Sequence, residues 1–154
     1  MLDFLLFQFQ WWLCVLHNYP YFHYGYILAF SSAVLSLLLK YRSPFHKKIL
    51  FATGLASIGV GNDILLAYLK IFELPGLWLA ALWFCFAAWF VEAEWINQKR
   101  LLCAVSFMIL GPLSYIAGAK LNALVFLAFS YKTLILLALD WLILGLLFTQ
   151  VYKD

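Results

Sequence analysis

Residues 47–76 read KKILFATGLASIGVGNDILLAYLKIFELPG, and this stretch decides the fold. Between Lys48 and Lys70 its one charged residue is Asp63. A run of about 20 apolar residues is what an α-helix needs to cross the ~30 Å hydrocarbon core of a bilayer. At 100° per residue, Ala52, Ala56, Gly59, Asp63 and Ala67 fall on one face. Small residues let a second helix approach closely, so this stripe is expected to face the bundle, with Asp63 at a helix–helix contact. The opposite face, Gly54, Ser57 and Gly61, is also small, which predicts a central helix.

The rest of the chain has the same character. It is 154 residues long, 67% hydrophobic, 20% aromatic and 11% charged, with mean hydropathy +0.96. A soluble protein of this size has too little interior for so many apolar residues, so lipid must cover much of the surface. The net charge of +3 does not indicate nucleic acid, because the cations sit between apolar runs instead of on a solvated face. Met1-Leu2-Asp3 lacks the positive start of a signal peptide, so the first helix is expected to be retained. Cys14, Cys85 and Cys103 lie inside apolar segments without C-x-x-C spacing and read as packing residues.

Six segments follow, at about 3–17, 21–39, 49–72, 76–96, 101–118 and 132–152. Residues 119–130 are too short to span and read as a helix extension or a short interfacial piece. The expected fold is all-α: a polytopic transmembrane helix bundle of about six spans, forming one domain over 1–154. With six spans, one side carries Lys40, Arg42, Lys47, Lys48, Lys99, Arg100 and Lys153, and the other Lys70, Lys120 and Lys132. The bias of seven to three places both termini in the cytoplasm.

Depth follows from orientation. Asp63 lies about 21 Å along its helix, in the outer half, and Asp140 about 12 Å from the outer face. The polar residues that collect toward the outer leaflet include Asn62, Asp63, Tyr115, Lys120 and Asp140, and these form the candidate site. Intramembrane acids default to a functional reading, since each costs roughly 2.5–3.5 kcal/mol on insertion scales. The plainer reading is a structural acid bonded across helices. Asp140 has an aliphatic face around it, Leu136, Leu137, Ile143, Leu144 and Leu147, and either stays neutral or pairs with Lys120.

Glu92 and Glu94, Trp83 and His17 are secondary candidates. Two acids two residues apart on a helix point in different directions, so ion pairing with Lys99 or Arg100 at the inner edge is favoured over a carboxylate dyad. His17 and His23 flank the first outer turn, but no further His/Cys/Asp cluster has metal spacing, and no metal or cofactor is expected. Trp78 and Trp95 match interfacial belts, whereas Trp11, Trp12 and Trp141 are placed in the bundle. Pro112 frees the carbonyl of Met108, which then needs another donor. No G-x-S-x-G, Gly-rich phosphate loop or H-E-x-x-H occurs, which excludes serine and zinc hydrolases of those patterns.

The runs FLLFQFQWWLCVL (4–16), GVGNDILLAYLKIF (59–72), LPGLWLAALWFCFA (74–87) and GPLSYIAGAKLNAL (111–124) resemble the domain-of-unknown-function 2878 family, small bacterial inner-membrane proteins without an assigned activity. The resemblance covers most of the chain and makes Asp63, Trp83, Gly111, Pro112, Tyr115 and Gly118 the family positions. Two departures stand out. The family's polar stretch of Asn/His/Ser type reads WFVEAE at 89–94, and Asn122 stands where the family has Gly. The resemblance implies envelope lipid metabolism beside enzymes of the cyclopropane-fatty-acid-synthase type, and no reaction.

Three functions stay open from the sequence. One is an accessory inner-membrane protein that handles or senses lipid. Another is an intramembrane lipid-modifying enzyme with Asp63 or Asp140 as general acid/base. The last is a small proton-coupled transporter. Membrane lipids and a lipid-modifying enzyme are the expected partners, with homo-oligomers possible and no nucleic acid.

Overall fold

The computed structural model describes residues 2–40, 45–93 and 99–153. Among them are six α-helices: α1 Leu2–Val15, α2 Gly25–Lys40, α3 Phe45–Tyr68, α4 Leu77–Glu92, α5 Arg100–Lys120 and α6 Tyr131–Lys153. The described residues contain no strand, only a single bridge between Phe72 and Phe126, so the all-α expectation holds. Four stretches are long and apolar enough to cross a membrane: 20–40, 45–68, 100–120 and 131–150. α4 is apolar but shorter, about 24 Å at the α-helical rise. This is the make-up of a membrane protein.

The residues gather in two compact units. Unit 1 is Met1–Asp63 with Pro75–Ala93, and unit 2 is Ile64–Leu74 with Glu94–Asp154. In unit 1, α1, α2 and α4 pack on one another. Between α1 and α2 the chain makes two short 3-10 turns, Leu16–Asn18 and Pro20–Phe22. Tyr19 between them is extended (φ −87°, ψ 137°), the conformation that a following proline imposes. Helix α2 therefore starts at Gly25, later than position 21. A side chain at Gly25 would meet the backbone carbonyl of Leu13.

α3 starts at Phe45, so His46, Lys47 and Lys48 are on its first turn instead of in a loop. Its expected stripe is its buried face: Ala52, Ala56, Gly59, Asp63 and Ala67 are all buried. The opposite face is not covered. Gly54, Ser57 and Gly61 are exposed, so α3 is not packed on both sides as predicted. On that face Thr53 donates to the Ile49 carbonyl at 2.8 Å and Ser57 to the Thr53 carbonyl at 2.9 Å.

Unit 2 is built on the antiparallel pair α5 and α6, with glycines as seats. A side chain at Gly111 would overlap the Trp141 indole, and one at Gly145 would come within 2.8 Å of the Ala104 Cα. Phe107 meets Trp141 and Phe148 edge-on, with centroids 5.8 and 6.0 Å apart. Helix α5 continues through Pro112, and Ser114 donates to the Gly111 carbonyl at 2.7 Å. That hydroxyl thus serves the carbonyl of the residue just before the proline, not that of Met108.

Helices α3 and α5 end in the same way. Lys70 (φ 61°) and Asn122 (φ 57°) both adopt the left-handed conformation. Ile71 N–H bonds the Leu66 carbonyl and Lys70 N–H that of Ala67, at 3.1 and 3.0 Å. Ala123 N–H bonds Gly118 and Asn122 N–H bonds Ala119, at 2.9 and 3.1 Å. Each is a Schellman motif, which satisfies the last carbonyls of a helix. Residues 121–130 are therefore no helix extension, because the cap at Asn122 turns the chain out of α5. The two exits then pair: Glu73 N–H donates to Val125 and Leu127 N–H to Ile71, at 2.9 and 3.0 Å. Ser130 starts α6, its Oγ accepting from Thr133 N–H at 3.3 Å.

Candidate functional site

Among the described residues, Asp63 is the most buried acid that the sequence singled out, 1% exposed on the inner face of α3. Its partner comes from α4: the Trp83 indole N–H donates to Asp63 Oδ2. Trp83 is itself 3% exposed. The local sequence explains the geometry. Gly59 is one turn before Asp63, and a Cβ there would overlap the Trp83 rings, so its lack of a side chain lets the indole lie against α3 with its N–H aimed at the carboxylate. An indole nitrogen is a donor only and a carboxylate an acceptor only, so each satisfies the other where water is absent. Asn62 is half-buried beside them.

Trp83 begins an aromatic column in unit 1. It meets Phe86 edge-on at 5.7 Å, and Phe86 meets Trp89 at 5.8 Å. Phe7 of α1 stacks on Trp89 at 5.4 Å with an interplanar angle of 22°.

Glu92 lies at the other end of α4, its side chain 4% exposed. Ser36 donates to its Oε1 at 3.1 Å, and Lys40 lies 3.7 Å from its Oε2. Lys40 also bonds Asp3 Oδ2 at 3.1 Å. The sequence reading pairs Glu92 with Lys99 or Arg100, its neighbours along the chain. Helix alternation instead brings the C-terminal ends of α2 and α4 and the start of α1 to one end of unit 1, which is where Lys40 waits. Glu94 and Trp95 lie outside the described residues.

His17 stacks on Trp78, with centroids 4.9 Å apart and planes 18° from parallel, and its Nδ1 lies 3.1 Å from the Cys14 carbonyl. Trp78 is buried by this contact and does not present the open face of a belt residue. Trp12, expected to pack inside, is exposed. Among the described residues no group of three His, Cys, Asp or Glu gathers to hold a metal.

In unit 2, Tyr115 is buried, stacked on Phe72 at 5.5 Å and edge-on to Trp141 at 6.0 Å. Lys120 is the exposed last residue of α5. Asp140 is half-buried on α6, with Leu137 and Leu144 buried and Leu136, Ile143 and Leu147 exposed around it. The candidate residues thus divide by unit, Asn62, Asp63 and Trp83 in the first and Tyr115, Lys120 and Asp140 in the second.

Sequence reasoning missed Gln10, which is buried in α1 and donates to Ser32 of α2 at 3.0 Å. An amide inside LDFLLFQFQWWLCV is the signal that identifies it, by the logic applied to Asp63.

No curated protein and no solved structure matches the chain. A family model described as "Protein of unknown function (DUF2878)" matches residues 1–147, nearly the whole chain, and the protein belongs to that family.

Proposed function

We propose that the protein is an accessory lipid-handling protein of a bacterial inner membrane, with both termini in the cytoplasm, acting beside a lipid-modifying enzyme. Asp63 is the residue on which that activity depends. The supporting observation is the buried Asp63–Trp83 bond inside an otherwise apolar helix. A charge at that depth is costly, and a plain packing contact needs none. The family resemblance adds envelope lipid metabolism as the setting.

The test is lipid analysis of cells lacking the protein, complemented with wild type or Asp63→Asn. Asparagine keeps the acceptor for Trp83 and removes the acid. A changed acyl or headgroup species restored by wild type and not by Asp63→Asn supports the reading. An unchanged profile in the deletion discards the lipid role, and full rescue by an expressed Asp63→Asn reduces Asp63 to packing.

A further inference from the structure

The paired exits of α3 and α5 form a non-helical platform in unit 2. Three lysines surround it. Lys70 occupies the left-handed cap of α3, Lys120 ends α5, and Lys132 is in the first turn of α6. The Phe72–Phe126 bridge draws the first two exits together, and Thr133 Oγ1, donating to the Ala128 carbonyl at 2.6 Å, ties the start of α6 to the same segment. All three lysines are exposed. Glu73 is the one acid among residues 68–74 and 119–133, so the platform carries a net positive charge.

Leu69, Leu74, Val125, Leu127, Phe129 and Tyr131 are exposed on it as well, beside Glu73, Asn122 and Ser130. A soluble partner would leave such a surface in water, and hydrocarbon would leave irregular backbone without partners. The membrane–water interface suits both, and Tyr68 and Tyr131, both exposed, are residue types that favour that level. Lysine is also unexpected at a left-handed position, where glycine or asparagine is less strained.

From this arrangement we infer that the platform binds the phosphate headgroup of an anionic phospholipid. Lys70, Lys120 and Lys132 face the phosphate, and the exposed leucines, Val125 and Phe129 meet the acyl chains. This surface shares no residue with the Asp63–Trp83 pair and does not rest on the lipid-handling reading. Its test is made on purified protein and not in cells, so the two fail separately.

The full chain is placed in nanodiscs of mixed phosphatidylglycerol and phosphatidylcholine, and the lipid retained after extraction is counted by native mass spectrometry. Each lysine near an anionic headgroup contributes roughly fivefold in preference. Wild type is expected to retain phosphatidylglycerol at least about tenfold over phosphatidylcholine. The triple change Lys70→Gln, Lys120→Gln, Lys132→Gln is expected to bring the ratio near one. The corresponding triple arginine change keeps it. Equal retention of both lipids by wild type overturns the inference, and so does a preference that survives the triple glutamine change. If that triple variant melts early, the three single variants decide: each loses several-fold preference, or the assignment falls.

Discussion

In unit 1 the helices meet through polar side chains set in apolar surroundings: Gln10 with Ser32, Asp63 with Trp83, Glu92 with Ser36 and Lys40. In unit 2 the main helix pair meets through shape, with Trp141 over Gly111 and Gly145 against Ala104. Lipid tails are as apolar as leucine, so neither pairing is driven by the hydrophobic effect between helices. Polar bonding fixes direction and register, because a donor and an acceptor must meet. Glycine seating brings backbones close and draws its attraction from many weak contacts. The contrast suggests that chemical response is concentrated in unit 1 and mechanical tightness in unit 2.

Substitutions at four positions test that contrast. The largest effect is expected at Gly145→Val, where the branched side chain must push back the Ala104 backbone; a loss of about 3 kcal/mol is expected in unfolding from detergent micelles. Asp63→Leu is next, about 1–2 kcal/mol, since the Trp83 N–H is left buried without its carboxylate. Asp63→Asn is expected to recover most of that loss, and equal losses for both would show that bulk and not hydrogen bonding matters at 63. Lys40→Met is worth about 1 kcal/mol, because Lys40 is 39% exposed and water screens its pairs. Raising salt should narrow the gap between Lys40→Met and wild type and leave the Gly145→Val gap unchanged. The smallest effect is expected at Asn122→Gly, within about 0.5 kcal/mol of wild type, as glycine accepts the left-handed cap freely. Asn122→Val at the same position should cost about 1–2 kcal/mol, which melting curves of the two variants would separate.

What the sequence could tell was set by range. The buried stripe of α3 was legible because helical periodicity alone defines it. So was the importance of Asp63, since one acid among apolar residues announces itself. Trp83 was recognised, but not as Asp63's partner, because that pairing depends on how α4 leans on Gly59. Glu92 was assigned to Lys99 or Arg100 since chain distance was the only guide, whereas its cation is 52 positions away in α2. The ends of α3 and α5 were blurred because lysine and asparagine do not advertise a cap as glycine does. Asn122 in place of the family's glycine now has a physical reading: it is the next residue able to hold that conformation.

The Asp63–Trp83 bond also bears on how the chain is made. The acceptor precedes its donor by 20 residues, so the ribosome delivers Asp63 before its Trp83 donor exists. The outward face of α3 raises no comparable obstacle, since Thr53 and Ser57 return their hydroxyls to its own carbonyls. Asp63 is then expected to delay lateral release from the translocon, and the two helices should leave it together as a hairpin. Nascent chains arrested just before Trp83 should hold α3 at the translocon, and chains arrested well beyond Glu92 should release it. Trp83→Phe, which removes the donor and keeps the ring, should prolong the wait.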